Sequence, residues 1–459
     1  MMSMTWNRFV QLIRNPDCQL VLVLVVVLFS RVLFLNAGYG VNVDAWRVAR
    51  VAREIATTGQ YSVSRFPGYP IQEIVCSWFW RGGPVALNGL TAFFSLVAVA
   101  AFMWISRKLR CRDAWLAGLA LAVTPIFFVS SACAKDYIWA LAFVLLSVLC
   151  ALDRRALFAG GLLGLGVGCR ITSLAMMLPL ALILFGETSG RSRWLSIVTF
   201  ISVAAATAAL VFSPVCLSYG MNFLTFYENH TRPDWVTILK RGTVEIWGAA
   251  GLIGLCIAAS SLLLRRTSTT SPNKWVAPAF VLAIAIYLGA YLRLPDQAGY
   301  LLPIVPFVLI LAQQFVARRI FQILCACLFI SSFAVVSPNG LSRGPIFADH
   351  VERLETMARI RGFLAYSKTL PGRNTFVVGG WEPQIAVMAP EFRTDRSRYV
   401  YLLTANELSD AFKNSDHVFY LPLIREFNYR VTGLDLAQHG ALDLRAIFDG
   451  QQAAREQAR

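Results

Sequence analysis

The chain has 459 residues, of which 57% are hydrophobic and 15% charged, with a mean hydropathy of +0.57 and a formal net charge of +16. A water-soluble fold cannot hide that much apolar surface, so the bilayer is part of this protein's solvent. Residues 1–337 hold 27 basic and 12 acidic residues, against 15 and 14 in 338–459, so the positive excess lies in the apolar part. That distribution fits basic loops facing an anionic leaflet and argues against a nucleic-acid-binding domain.

Apolar runs at about 19–36, 85–106, 114–131, 137–152, 156–170, 172–186, 195–217, 245–264, 275–292, 300–316 and 320–337 predict eleven membrane spans. The first run lacks a convincing small-residue cleavage site and reads as a retained helix, not a signal peptide. All ten cysteines precede residue 328, and most fall inside these runs, where they read as small buried hydrophobes.

Between the first two runs lies "AGYGVNVDAWRVARVAREIATTGQYSVSRFPGYP", residues 37–70. Projected on a helix, 43–58 places Ala45, Val48, Ala49, Val51 and Ala52 on one side and Arg47, Arg50, Arg53 and Glu54 on the other. The pattern predicts a helix lying in the outer membrane interface, its arginines reaching lipid phosphates. Asp44 stands in its first turn, where the helix dipole favours a negative charge. That placement accounts for Asp44 without catalysis.

Short basic connections at 107–113, 153–155, 186–194, 265–274 and 317–319 mark the cytoplasmic side, together with the N-terminus. Eleven spans then put 338–459 outside. The opposite loops gather Asp44, Glu54, Glu73, Asp136, Glu228, Asp234 and Asp296, so chemistry at this membrane is expected on the outer face. His230 has Glu228 and Asp234 nearby, which leaves a metal role and an ordinary loop role both open. Asp136 beside Lys135 reads either as an interfacial ion pair or as a site carboxylate. Arg65 and Lys135 are able to snorkel to headgroups, and Arg293 reads also as a last-turn helix cation.

In 338–459, "VERLETMARIRGFLAYS" (351–367) has helical period. "TFVVGG" (375–380), "RYVYLL" (398–403) and "HVFYLP" (417–422) read as buried strands, and Thr404 with Glu407 has capping-box spacing. Alternating strand and helix predict a small α/β domain.

An Asp at the lip of the first outer loop, an "RFPGYP" return and a second Asp in "KDY" (135–137) form a constellation. It is joined by "GGLLGLGVGCRITSLAMMLPLALIL" (160–184) and "RLPDQAGYLLPIVPFVLIL" (293–311). Together, over roughly 20–337, these resemble the GT-C glycosyltransferases, the polytopic enzymes that use polyprenyl-phosphate sugars. The aminoarabinose transferases and protein O-mannosyltransferases are of this type. The resemblance implies a polytopic α-helical membrane domain, 1–337, with the first outer loop at 37–84, followed by a small extracytoplasmic α/β domain, 338–459. It implies an inverting transfer of a sugar from a polyprenyl-phosphate donor to an acceptor hydroxyl on a glycan, lipid or protein, at a bacterial inner membrane. Carried over by position, Asp44 is the candidate base and Asp136 a second carboxylate that orients the acceptor or binds a cation; Glu73, close behind "PGYP", is a third candidate that could assist Asp44, bind a metal or cap the next element. Arg65, Lys135, Arg170 and Arg293 are candidates for the phosphate, and Tyr69 and Tyr300 complete the substrate-binding set.

Two departures qualify the pattern. Asp44 is followed by Ala45 where many relatives carry adjacent acids, which counts against a two-carboxylate metal site there; the sequence requires no divalent metal. "RFPGYP" replaces the lysine-and-double-proline loop of the aminoarabinose branch, so that donor is not expected. A transporter or flippase of a lipid-linked saccharide is the main rival, and a non-catalytic assembly subunit a further one. Transporters tend to show internal repeats and mid-depth sites. No clear repeat is found, and the acids sit at one surface.

Overall fold

A computed structural model describes residues 15–221, 232–264, 274–337, 340–389 and 396–445. The chain divides into two compact units: 1–40 with 51–352, and 41–50 with 353–459.

The first unit is helical. Its opening helix, Pro16–Val32, is capped by Asn15, whose side chain accepts from the Asp17 amide, and starts with proline at a position that needs no donor. Val21, Leu22, Val25 and Phe29 are exposed along it. The long helix Gly190–Tyr219 likewise leaves Trp194, Leu195, Val198, Leu210 and Leu217 open. Apolar faces of this kind belong against lipid, since soluble monomers rarely expose large contiguous apolar patches.

Among the described residues, four helices are long and apolar enough to cross a membrane by length and composition: Pro70–Lys108, Gly190–Tyr219, Val244–Leu262 and Val276–Arg293. Four shorter apolar helices, Tyr137–Leu152, Ala156–Cys169, Ile171–Glu187 and Ile304–Phe315, pack with them. The expected run 114–131 is broken into Ala114–Val123 and Pro125–Ser131, bent by 68°. Pro125 cannot donate to the ladder, and Thr124 turns extended (φ −52°, ψ 130°) to admit it. The break frees carbonyls, and Arg31 of the first helix takes one: its Nη2 donates to Ala122 O at 2.5 Å and its Nε to Ser131 Oγ at 2.8 Å. The guanidinium also lies 4.0 Å over Phe128. A helix C-terminus, hydroxyls and a ring thus hold a fully buried cation. The run expected at 320–337 ends at Phe333, where the hairpin β1 (Ala334–Ser337) and β2 (Gly340–Arg343) begins.

Helix Ala156–Cys169 lies against Gly190–Tyr219 along Gly160, Gly164 and Gly168. A β-carbon at Gly160 would stand 2.5 Å from Phe200 O, one at Gly164 2.5 Å from Thr207 Cβ, and one at Gly168 would collide with Val211. Small residues every four positions let two membrane helices approach backbone to backbone. This seam fixes where the helix ends, and therefore where Arg170, extended at φ −161°, leaves it.

The second unit is α/β, as expected. Its sheet is all parallel in the order β4 (Ser397–Val400), β3 (Asn374–Val377), β5 (His417–Tyr420), β6 (Leu442–Asp443). Phe376 and Phe419 face a cluster with Ile360, Phe363 and Tyr399, while Val377, Val418 and Tyr420 face another with Leu403, Leu408 and Leu436. Both sheet faces are covered, which is why the strands read as apolar runs and not as alternations. Thr404 and Glu407 form the predicted capping box at the start of Ala405–Asn414.

Candidate active site

In the first unit three charges converge at the start of helix Tyr137–Leu152. Asp136 is its N-cap and has no exposed surface. Arg65 Nη2 donates to Asp136 Oδ1 at 2.6 Å, and Arg170 Nη1 donates to Asp136 Oδ2. Each carboxylate oxygen therefore carries its own guanidinium, from positions 71 and 34 residues away. Burial alone would raise the Asp136 carboxyl, but Arg170 and Arg65 outweigh it and hold it below the usual carboxylate range.

Tyrosine rings line the guanidiniums. Arg170 lies 4.1 Å from the Tyr137 centroid and 4.6 Å from that of Tyr300, and Arg65 lies 4.2 Å from that of Tyr69. The Tyr137 hydroxyl donates to Gln297 Oε1 at 2.7 Å, tying the helix start to the 293–300 segment. Lys135 stands 5.7 Å from the Tyr137 ring. The turn carrying Asp136 is pinned to the end of the first helix region, since Ala134 N donates to Tyr39 O at 2.9 Å.

Glu73 organises the segment that delivers Arg65. It is fully buried in the first turn of Pro70–Phe79 and accepts four hydrogen bonds. They come from the Tyr61 hydroxyl (2.5 Å), the Ser64 amide (2.7 Å) and hydroxyl (2.6 Å), and the Tyr69 amide (3.0 Å). One carboxylate thus folds 61–69 back on itself and presents Arg65 to Asp136. Glu73→Gln turns one acceptor into a donor facing donors. The expected loss is about 1–3 kcal/mol, read as faster proteolysis at 61–69 with the protein still inserted.

Asp44 lies in the other unit, in the first turn of Val43–Thr58, at 5% exposure. Asn42 caps the helix, its Oδ1 accepting from the Asp44 amide at 2.8 Å, and Arg47 pairs with Asp44 at 3.5 Å. The interfacial-helix expectation needs correction. Ala45, Trp46, Val48, Ala49, Val51 and Ala52 are buried in protein, not open to lipid. Nor do the arginines point to headgroups alone: Arg47 stands 5.7 Å over Tyr401, Arg50 meets Glu382 at 3.3 Å, and Arg53 lies 5.9 Å over Trp80. A helix packed on protein and one lying on a bilayer share the same apolar stripe.

Of the residues expected at the site, the structure brings together Arg65, Tyr69, Lys135, Asp136, Arg170 and Tyr300, with Glu73 one step behind Arg65. Arg293 is exposed in the last turn of Val276–Arg293, and no contact among the described residues joins it to this cluster. His230 and Glu228 lie outside the described residues. Sequence reading missed Tyr137, Gln297, Tyr61 and Ser64; "KDY" did place Tyr137 beside Asp136, but nothing local marks it as a bed for Arg170. Both Asp136 oxygens are taken by guanidiniums, so this carboxylate does not fit a divalent cation. Among the described residues no group of three His, Cys, Asp or Glu side chains gathers as a metal set.

With its carboxylate ionised, the trio of Asp136, Arg65 and Arg170 carries a net single positive charge in a buried, ring-lined setting. Such a site suits one anionic oxygen group, because a guanidinium offers donors beyond those spent on Asp136.

No family model matches the sequence, and no curated protein matches it either. Solved structures do. The crystal structure of ArnT from Cupriavidus metallidurans bound to undecaprenyl phosphate superposes with a TM-score of 0.58 at 12% identity, over 93% of this chain and 90% of that one. The apo state of the same protein gives 0.58 at 13% identity, over 93% and 89%. At this identity the likeness is one of fold: the chain shares the fold of ArnT, an aminoarabinose transferase.

Proposed function

We propose that the protein is an integral membrane glycosyltransferase that moves a sugar from a polyprenyl-phosphate donor to an acceptor hydroxyl on the outer face of the inner membrane. The observation that carries this reading is the buried Asp136–Arg65–Arg170 trio with its tyrosine bed, set in a fold shared with a protein crystallised with undecaprenyl phosphate. The donor's phosphate is singly charged before transfer and gains charge as its bond to the sugar breaks. Arg170 and Arg65 are placed to stabilise that gain, and preorganised donors aimed at developing charge are among the strongest catalytic devices. Asp136 sets the net charge and holds the two guanidiniums in register.

In the proposed reaction Asp44 takes the proton of the acceptor hydroxyl. The acceptor oxygen attacks the sugar C1 from the face opposite the phosphate. The C1–O bond breaks, its electron pair passes to the phosphate oxygen, and the sugar's configuration inverts. Asp44 then returns its proton to solvent. Glu73 serves as a positioning residue for Arg65, and Tyr69 and Tyr300 shape the phosphate pocket.

The test is purified protein in detergent, given a polyprenyl-phosphate sugar and a hydroxyl acceptor. Release of free polyprenyl phosphate together with glycosylated acceptor, with no second compartment present, is the expected result. Donor binding without either product, but lipid-linked sugar movement in vesicles, would assign the fold to transport instead.

A further inference from the structure

The parallel sheet of the second unit has the order β4-β3-β5-β6, so the chain steps one way from β3 to β4, then crosses back over β3 to β5 and continues the other way to β6. The crevice beyond the carboxyl ends of β3 and β5 is then a topological switch point, the place where open α/β sheets hold their ligands. Two residues leave the carboxyl ends of strands β3 and β4 toward a partner from far back in the chain. Glu382, after β3 and the Gly379–Trp381 turn, meets Arg50 Nη1 with both oxygens at 3.3 Å. Tyr401, directly after β4, lies under the Arg47 guanidinium at 5.7 Å. The two strand ends are joined, since Gly379 N donates to Tyr401 O at 3.1 Å. Residues 41–50 belong to this unit, and the helix they open carries Asp44 one turn before Arg47.

We infer that the α/β domain is the carrier of Asp44: the carboxyl ends of β3 and its edge neighbour β4, beside the switch point, grip the chain's own helix through Glu382–Arg50 and Tyr401–Arg47. The grip rests on two cations, Arg47 and Arg50, whose partners sit at the carboxyl edge of the sheet. Arg47 is shared, pairing with Asp44 at 3.5 Å on one side and stacking on Tyr401 on the other. Tyr401 is therefore a positioning residue acting on Asp44 through Arg47, and Glu382 one that holds the same helix through Arg50. The catalytic part of this inference rests on Asp44 being the base proposed above.

The experiment uses the full chain in detergent or nanodiscs, with Glu382→Arg, Arg50→Glu and the double exchange. Each single variant sets like charges face to face, and the double restores an opposite pair. Expected in both singles are at least threefold faster amide hydrogen exchange in 43–50 and a fall of about tenfold in kcat, with donor KM within twofold of wild type. The double exchange is expected to recover both. Unchanged exchange at 43–50 in the singles overturns the grip, as does a double variant no better protected than the singles. Faster exchange with unaltered kcat overturns the positioning role. If wild type transfers no sugar, the function proposed above fails, while the exchange measurements still judge the grip.

Discussion

Asp136→Ala is expected to be the most damaging single substitution in the membrane unit, lowering stability by about 3–5 kcal/mol and abolishing the proposed transfer. The carboxylate is fully buried and each oxygen neutralises one guanidinium. Its removal leaves Arg65 and Arg170 as uncompensated cations, one of them 7% exposed at the side chain. Alanine also opens a void at the start of Tyr137–Leu152. Asparagine should do less harm, because its Oδ1 can still accept from one arginine while its amide group faces the other. The order wild type, then Asn, then Ala in thermal unfolding in detergent is the measurement. Equal unfolding temperatures for wild type and alanine would show that the trio contributes nothing to the fold. The pH dependence has a definite sign. Asp136 is held below its ordinary range, so its contribution is complete above the unfolded value of about 3.9 and fades only as pH falls through the lower folded value. The gap between wild type and Asp136→Asn should therefore stay constant from about pH 5 to 8.

How much of this was legible in the sequence follows from the range of the interactions. Apolar runs, basic short loops and the Thr404–Glu407 cap are local signals, and the helices, the α/β texture and the capping box were readable from them. The bend at Thr124–Pro125 was not, because a hydropathy window averages over a break whose two halves are equally apolar. Asp136 and Arg170 could be singled out by chemistry, since charges at the ends of spans need partners, but the pairing joins positions 34 residues apart and has no local mark. The role of Glu73 was hidden for another reason. Two of its four donors are backbone amides, which every sequence possesses. For 43–58 the amphipathic pattern gave the helix correctly and its surroundings wrongly, because a moment records that a stripe is buried and not by what.

Asp44→Asn is the sharpest test of the chemistry, and its value lies in how little it should disturb the fold. The exchange keeps shape and burial and removes one charge. The losses are the Arg47 pair at 3.5 Å, with Arg47 about one-third exposed, worth about 0–1 kcal/mol, and the first-turn dipole interaction, about 0.3–1 kcal/mol. Neither would unfold the α/β domain or stop insertion. If Asp44 takes the acceptor's proton, kcat should nevertheless fall by about 10² to 10⁴, with donor KM little changed, the pattern of an interaction made in the transition state and absent from the ground state. Asp44→Glu separates charge from placement: it keeps a carboxylate but lengthens the side chain by one methylene, so it should recover part of the rate and none of the loss in Asp44→Asn should be traceable to stability. An asparagine variant with wild-type turnover would leave the Asp136 trio as a proposed phosphate site without a base, and the proton would then have to leave through another group or through water.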